Sequence, residues 1–563
     1  MRKTVFSLKS NNTKHLFGLN IILLAVLSAC ADNPGKPAEN PKPMALLDGL
    51  GKHQYPITVA KPAAQRYFNQ GMVLAYGFNH SEAVKSFQAA YGIDPACAMC
   101  YWGEALALGP NINAPMAPAA VPQAVQALRQ AEALAVNAGA KEKALIAALS
   151  TRYQAPPPAD RKALDEAYAA AMVKISKSFP DDAVIAALTA EALMDLHPWN
   201  FWTKQGQAQP WTQDIVDHLE RALALDADNP LANHLYIHAL EASPNAEKAL
   251  PAARRLPGLA PGAGHLVHMP AHIYIRTGRY RDAIAANQQA TQIDHHYVSH
   301  DHAESIYTLA YVPHNYHFLW SAALKVGRKQ LALNSANDTA AHVKQDMLRD
   351  PILGATLQHF QLLPLYTHVL FGDWDNVMQT PPPPSDLLYQ TAVWHYARGM
   401  ALLRKGQLEQ AKADCKQLKA IINNPAIEPL TIFGLNAIKP VLQIADAMLL
   451  GELAAQQKYF KSAISHLERA VQLEDSLNYT EPKDWYLPPR QVLGAMLLES
   501  GQARKAEAVY KQDLVYHPQN GWSLFGLNQS LQKQGKKHEA EAVWQQFQQI
   551  WADADIGLKG SRF

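Results

Sequence analysis

The chain has 563 residues, of which 48% are hydrophobic and 18% charged. This balance is typical of a folded protein of several domains or repeats and excludes a disordered chain. Lysine and arginine together number 51, against 49 aspartates and glutamates. The resulting charge of +2 excludes the strongly basic surface of a nucleic-acid-binding protein, so we expect no nucleic-acid partner. With only four cysteines, the chain is not a disulfide-rich scaffold.

Residues 1–29 form a predicted export signal. Basic residues precede a short apolar run, which is too short to span a membrane. The following sequence LSAC ends at Cys30 and resembles the lipobox of bacterial lipoproteins. The resemblance implies lipid attachment at Cys30, and Ala31 after it implies an outer-membrane protein facing the periplasm. Residues 30–60 are then the lipidated cysteine and its tether; a plain signal peptide with a chance cysteine is the alternative.

Small and aromatic residues recur at fixed offsets through the alanine-rich, amphipathic body of the chain, which predicts an all-α protein. Two of the clearest sets are Gly71, Ala83, Phe87, Ala90 and Pro95, and Gly494, Gly501, Ala506, Tyr510 and Pro518. This spacing resembles the tetratricopeptide repeat (TPR) superfamily over roughly residues 60–550.

The TPR resemblance implies an α-solenoid of stacked helical hairpins, each buried only against its neighbours. It also implies a concave groove that binds a partner protein or peptide. The prolines at 381–384 predict a break between an N-terminal block, 61–380, and a C-terminal block, 385–563. Residues 67–113, 264–280 and 314–320 look similar to bacterial TPR proteins of unassigned function.

Cys97 and Cys100 form one C-x-x-C pair within the first repeats. A thioredoxin-like redox role needs a βαβ context, which the helical pattern lacks. In an oxidising compartment the pair predicts a disulfide, with two small buried residues as the alternative.

Histidines are concentrated in the middle of the chain, where residues 234–317 hold 11 of the 23. His234 and His238 are four residues apart, as are His268 and His272, and this spacing places two imidazoles on one face of a helix. Further candidates at related spacings are His265, His314 and His317.

By the TPR register these histidines lie on the first helices of three neighbouring repeats, which line the groove in that family. Stacked helices would bring them to one point, where imidazole nitrogens could bind one Zn, Cu, Fe or Ni ion. The alternative is that each histidine is a hydrogen-bonding residue of the core or groove. His53 and His80 would join only if the N-terminal segment folds back over the groove.

A catalytic role for the metal lacks a clear signature, and no catalytic residue is identified. The zincin motif requires Glu directly after the first His, where this chain has Leu235 and Met269. Glu241 could be a ligand, an outer partner or a base, although a solvated helix charge is slightly favoured. Asp301 and Glu304 could serve similarly.

Two functions therefore compete. The first is a membrane-anchored scaffold that binds a protein or peptide in its groove and holds a metal ion on the central histidines. The second is a metal-dependent hydrolase or oxidoreductase on a TPR scaffold. Histidines that converge in a closed pocket beside a carboxylate favour the enzyme, whereas histidines dispersed along an open groove favour the scaffold.

Overall fold

A computed structural model describes residues 44–299 and 305–563; the predicted signal peptide, Cys30, Asp301 and Glu304 lie outside the described residues. The N-terminal half contains α1 Pro62–Tyr76, α2 His80–Ile93, α3 Ala98–Ala107, α4 Val121–Leu134, α5 Ala140–Ser150, α6 Lys162–Ser178, α7 Ala183–Asp195, α8 Thr212–Leu225, α9 Pro230–Glu241, α10 Leu250–Leu259, α11 Gly264–His268, α12 Pro270–Arg276 and α13 Tyr280–Ser299.

The C-terminal half begins with a π-helical turn, Tyr307–Tyr311, which leads into α14. The helices that follow are α14 Val312–Lys325, α15 Lys329–Ala341, α16 Gly354–Leu370, α17 Trp374–Gln379, α18 Leu388–Arg404, α19 Leu408–Ile422, α20 Ile438–Gln456, α21 Phe460–Ser476, α22 Pro489–Glu499, α23 Ala503–Tyr516, α24 Gly521–Lys533 and α25 Lys537–Ile550. A small antiparallel pair, β1 Thr431–Ile432 and β2 Asn436–Ala437, lies before α20.

The helices pack in sequence as hairpins, and glycines set the distance between them. A Cβ atom at Gly71 of α1 would lie 2.7 Å from the Phe87 ring of α2, and one at Gly103 of α3 would lie 2.4 Å from the same ring. Phe87 is fully buried between the two flanking helices. This packing confirms the predicted all-α, TPR-type solenoid.

The same arrangement recurs near the C-terminus. Tyr510 of α23 is buried between α22 and α24, where Cβ atoms at Gly494 and Gly526 would lie 2.4 and 2.2 Å from its ring. These two hairpins each bury a large ring against glycines of both neighbouring helices.

Two apolar clusters meet at α12. One runs from Tyr55 to Ile273 and the other from Ala271 to Ala540. The second cluster continues across residues 381–384, and the predicted domain boundaries stay a prediction. Within the described ranges, no helix is both long and apolar enough to cross a membrane.

Residues 44–60, which the prediction included in the tether, pack on the N-terminal helices. The Tyr55 hydroxyl lies 3.4 Å from Asp182, and the backbone N–H of Thr58 donates to Glu142 at 2.6 Å. Cys97 and Cys100 form a disulfide at the start of α3.

The C-terminal helices fold back onto the central ones. The indole N–H of Trp522 in α24 donates to the carbonyl of Leu324 in α14 at 2.9 Å. Arg281 of α13 pairs with Asp553 at 2.8 Å. All twelve residues of α9 are buried, and this helix packs against α1, α7, α8, α10 and α12.

Candidate metal centre

Local sequence features place the histidines of α9 on one face. The Asn229 side chain accepts a hydrogen bond from Ala232 N–H at 3.0 Å and caps the helix, and Pro230 occupies its first position. The helix then runs unbroken, so His234 and His238 are one turn apart. The other histidines lie on α11, α12 and α14.

Pro270 does not disrupt the His268–His272 pair. It begins α12, only Met269 separates it from α11, and Met269 keeps helical dihedrals of −50° and −36°. The chain therefore turns by about one helical turn between His268 and His272, and their Nε2 atoms lie 3.1 Å apart.

Six of the seven predicted histidines converge into two neighbouring groups, within each of which the candidate nitrogens lie within 4.8 Å of one another. The first histidine group is His234, His238 and His265, and the second histidine group is His268, His272 and His314. The groups adjoin, since the rings of His238 and His272 are 5.3 Å apart.

His317 does not join either group. It lies one turn after His314 in α14 but packs against α16, with its ring 5.5 Å from that of His359. His80 and His53 lie at the edge of the centre. His80 bonds the carbonyl of Ala107 at 3.0 Å, and His53 packs against Tyr76.

Four of the six histidines have their Nδ1 atom held by an oxygen acceptor. In the first group, His234 Nδ1 lies 2.6 Å from the carbonyl oxygen of Tyr76, and His238 Nδ1 lies 2.7 Å from Glu241 Oε1. A carbonyl and a carboxylate only accept hydrogen bonds, so both Nδ1 atoms carry the proton.

The second group repeats this arrangement. His272 Nδ1 lies 2.5 Å from Glu241 Oε2, and His268 Nδ1 lies 2.7 Å from Asn287 Oδ1. The amide nitrogen of Asn287 donates to Ala283, which leaves its oxygen as the acceptor for His268. Both rings therefore carry their proton on Nδ1 and present a lone pair at Nε2.

These lone pairs point at one another. The Nε2 atoms of His234 and His238 and both nitrogens of His265 are buried without a hydrogen-bond partner in the described part of the chain. In the second group the Nε2 atoms of His268 and His272 lie 3.1 Å apart, a distance at which they could share a proton or bind one ion. Neutral imidazoles with converging lone pairs form the donor set that binds a transition metal.

Burial keeps these rings neutral. It lowers the pKa of His234, His265 and His268 well below the usual range, and the neighbouring histidines lower the pKa values further. The pKa of His314 is lowered well below its usual range for the same two reasons. Neutral imidazole is the form that ligates metals, so no proton has to leave these rings before an ion binds.

Glu241 joins the two groups. Its side chain is 1% exposed, and its two oxygens accept hydrogen bonds from His238 and His272. Burial alone would raise the pKa of Glu241, but its two histidine partners hold that pKa well below the ordinary value. The slightly favoured interpretation of Glu241 as a solvated helix charge is therefore wrong, because this carboxylate is an internal hydrogen-bond acceptor.

A distant segment completes the surroundings of Glu241. The hydroxyl of Tyr479 lies 3.2 Å from Glu241 Oε2 and 3.0 Å from Glu481 Oε2. Arg276 Nε donates to the Glu241 carbonyl at 2.8 Å. Sequence spacing gives no signal for Tyr479, which is more than 200 residues from Glu241 and reaches it only through the fold-back of the C-terminal helices.

Aromatic rings enclose the centre. Phe78 packs against His234 at 4.6 Å and against His265 at 5.4 Å, and Phe318 covers His272 at 4.4 Å. Phe78 has a positive φ of 58°, which is uncommon for a bulky residue and raises the energy of this loop. The fold holds the ring over the histidines in spite of that cost.

No protein-family model matches this sequence, and no curated protein is similar to it. Solved structures with a similar fold are TPR-repeat proteins. Human IFIT1 bound to m7Gppp-AAAA is 13% identical over 88% of this chain and 91% of that chain, with a TM-score of 0.33. Yeast Tom70 is 13% identical over 88% of this chain and 91% of its own, with a TM-score of 0.28.

The Cut9–Hcn1 hetero-tetramer of the APC/C is similar to the same extent, with 13% identity, 88% coverage of each chain and a TM-score of 0.28. Such distant similarity carries nothing about ligands or activity. The glycine–aromatic packing of its hairpins makes the fold a TPR-type solenoid of stacked helical hairpins.

Proposed function

We propose that this protein is a transition-metal protein that holds one ion in each of its two histidine groups. The observation that carries the proposal is the fixed orientation of four imidazoles. Their Nδ1 protons are engaged by Tyr76, Glu241 and Asn287. Outer partners of this kind fix the tautomer of metal-binding histidines and direct Nε2 to the ion.

The distance between His268 and His272 supports an ion in the second group. Two nitrogens bound at about 2.0–2.1 Å with an angle of about 90–110° between them lie roughly 2.9–3.4 Å apart. The observed separation of 3.1 Å falls in that interval. Without an ion, one of the two Nε2 atoms has to carry a proton for this approach to be favourable.

The donor set supports Zn, Cu, Fe or Ni, because imidazole nitrogens suit these ions better than Ca or Mg. Three protein nitrogens leave at least one coordination position open, as in catalytic rather than structural zinc sites. Five of the six histidines are almost fully buried. Their convergence around Glu241 favours the metal-dependent enzyme over a scaffold with histidines dispersed in an open groove.

A TPR-type scaffold by itself suggests protein or peptide binding. The histidines that form the two groups are mostly buried, so a partner would bind elsewhere on the solenoid. Partner binding therefore stays a prediction from the fold, separate from the metal centre.

The direct test is elemental analysis of the soluble form, residues 31–563, purified without an affinity tag or added metal. We expect about two equivalents of transition metal in the native protein, one per three-nitrogen site. Replacing His234 and His238 by Ala should remove one equivalent, and replacing His268 and His272 by Ala should remove the other.

Two control variants sharpen this experiment. His317→Ala removes a buried histidine outside both groups, and His538→Ala removes an exposed one. Both should retain the full metal content, and circular dichroism should show unchanged helicity in every variant. A metal-free native protein, even after incubation with Zn²⁺ or Cu²⁺, would contradict the proposal.

Enzymatic use of the centre requires an open coordination position. Cobalt-substituted protein should change its visible spectrum when azide is added, because azide binds only where a position is free. An unchanged spectrum in a fully loaded protein would identify closed, structural sites.

We also propose that the centre operates in the cell envelope, on a protein anchored by lipid at Cys30 to the outer membrane and facing the periplasm. The support is the lipobox-like sequence alone. Labelled palmitate should be incorporated into the native protein and into a Cys415→Ala control, but not into Cys30→Ala. Label in the Cys30 variant would contradict the anchor.

A further inference from the structure

A cavity of about 30 Å³ lies where the central helices meet the C-terminal ones. Its wall includes Tyr280 at the start of α13, Lys325 at the end of α14, and Trp485 and His517 on either side of α22 and α23. One water molecule needs about 10–15 Å³ of such space. The cavity therefore has room for a group of two or three atoms.

Three polar groups of this wall have no hydrogen-bond partner among the described residues: the Tyr280 hydroxyl, Trp485 Nε1 and His517 Nε2. Tyr280 and Trp485 are each 1% exposed, and His517 is 8% exposed. An indole N–H can only donate, and burying such a donor without an acceptor is unfavourable. Trp485 thus requires an acceptor inside the cavity, and the Tyr280 hydroxyl can donate to the same one.

Lys325 adds a positive charge to the same wall. It is 8% exposed, and its ammonium makes no hydrogen bond or ion pair within residues 44–299 and 305–563. Burial lowers the pKa of Lys325 to about 8, against the opposing effect of Asp513, so the ammonium remains charged at neutral pH. Lys483 and Arg276 line the cavity as well.

The carboxylates around Lys325 make their hydrogen bonds and ion pairs with other residues, while Asp513 Oδ1 and Glu474 Oε1 are buried without a hydrogen-bond partner among the described residues. Asp513 accepts hydrogen bonds at 2.6 and 3.1 Å from a serine and an asparagine. Glu481 accepts one from Tyr479 at 3.0 Å, and Glu474 lies 3.6 Å from an arginine. The buried ammonium therefore lacks the close partner that a charge in the interior normally has.

We propose that this cavity binds the carboxylate group of a small molecule. Lys325 supplies the charge, and Tyr280 and Trp485 supply neutral donors. A carboxylate is planar, has about four lone-pair directions for its donors and fits a space of two or three heavy atoms. A tetrahedral phosphate needs more room and more donors than this wall offers.

The cavity adjoins the metal centre without sharing its ligands. Arg276 lines the cavity and donates to the Glu241 carbonyl, while Tyr479 lies between Glu481 of the cavity wall and Glu241. A carboxylate bound here would lie one layer of side chains from the histidine groups. None of the cavity donors belongs to either group, so the inference does not rest on the proposed metal function.

Calorimetric titration of the chelator-treated protein with formate, acetate and inorganic phosphate tests the proposal. We expect formate or acetate to bind and phosphate not to bind. Lys325→Met, which keeps the side-chain length, should weaken carboxylate binding by about tenfold or more, because it removes a charge-assisted hydrogen bond. Lys505→Met, at an exposed position of α23, should bind as the native protein does.

Tyr280→Phe provides a variant that folds with minimal disturbance. It should weaken carboxylate binding several-fold and, in carboxylate-free buffer, slightly raise the unfolding temperature, because it removes an unpartnered buried hydroxyl. Absence of formate and acetate binding would overturn the proposal and leave a water-filled cavity. Binding of phosphate alone, or unchanged binding by both cavity variants, would overturn it equally.

Discussion

The hairpins around α2 and the central helices α9 to α14 use the same helix-against-helix packing but leave different groups inside. In the first region the Phe87 ring fills the space that Gly71 and Gly103 leave, and no polar atom is involved. In the second region the inward positions carry imidazoles whose Nε2 atoms have no partner. The packing around Phe87 needs no further group, whereas the histidine nitrogens of the second region need an atom to bind.

This difference separates stability from function along one continuous solenoid. A regular hairpin is stabilised by apolar area and shape, which any ring of the right size provides. The central helices add outer hydrogen bonds with Tyr76, Glu241 and Asn287 that hold four of the six imidazoles in one orientation. Orienting the imidazoles does not improve the packing of the helices. Substitutions in a regular hairpin should therefore change stability, whereas substitutions of the central histidines should change metal binding.

The largest expected effect is on the regular region. Phe87→Ala should lower the free energy of unfolding by about 3–5 kcal/mol, because it leaves a cavity between three helices. Urea unfolding followed by circular dichroism measures this change. Val136→Ala, at a side chain that is 73% exposed, is the apolar control and should change little. Metal content should be the same in all three proteins; loss of metal in Phe87→Ala would break the separation of the two regions.

Metal removal should give the next largest loss of stability. This loss should depend only on the histidines of the central helices. Each ion present at about ten times its Kd stabilises the folded state by about 1.4 kcal/mol, so two ions contribute about 2.8 kcal/mol. Chelation should therefore lower the unfolding temperature of the native protein and of Phe87→Ala alike. A variant without His234, His238, His268 and His272 should show no response to chelator. An equal response in that variant would place the ion elsewhere.

Glu241→Gln should give a smaller change that reports on orientation. The amide can accept through one oxygen only, so it cannot hold both His238 and His272 by their Nδ1 protons. Loss of such an outer partner weakens metal binding by about 10–100-fold. Competition with a chromophoric chelator measures the affinity, and Glu247→Gln, at an exposed position nearby, should match the native protein. If Glu241→Gln bound metal with the affinity of the native protein, the histidines would keep their orientation without the carboxylate.

The sequence predicts much of the scaffold and part of the site, for identifiable reasons. Repeat spacing is local, so glycine and aromatic positions such as Gly494 and Tyr510 can be paired from their offsets alone. The i,i+4 pairs of the central helices are equally local. The burial of Glu241 cannot be predicted from local spacing, because it depends on α12 and on Tyr479 from a distant segment.

The placement of His317 shows the same limit. Spacing sets it one turn after His314, but only the position of α16 decides that its ring packs against His359 instead of the second histidine group. The acceptor for His234 is a backbone carbonyl, which has no signature in the sequence at all.

A buried acid outside the centre tests whether the scaffold resolves its polar groups without an ion. Burial raises the pKa of Asp484 from 3.8 to about 7, although hydrogen bonds from Asn436 and Thr480 oppose the shift. The folded protein therefore keeps a proton on Asp484 that the unfolded chain releases. Between about pH 4 and 7 stability should fall as pH rises, with a slope of at most about 1.4 kcal/mol per pH unit from this group.

Asp484→Asn removes that slope and keeps an acceptor for the Asn436 amide, which donates to Asp484 at 2.8 Å. The variant should gain stability relative to the native protein as pH rises to 7, and the difference should then stay constant. Asp375→Asn, at a side chain that is 83% exposed, should show no such trend. A parallel pH profile for Asp484→Asn and the native protein would mean that this carboxylate is ionised in the fold. The scaffold would then also bury a charge that requires a partner, and the contrast with the histidine groups would be one of degree.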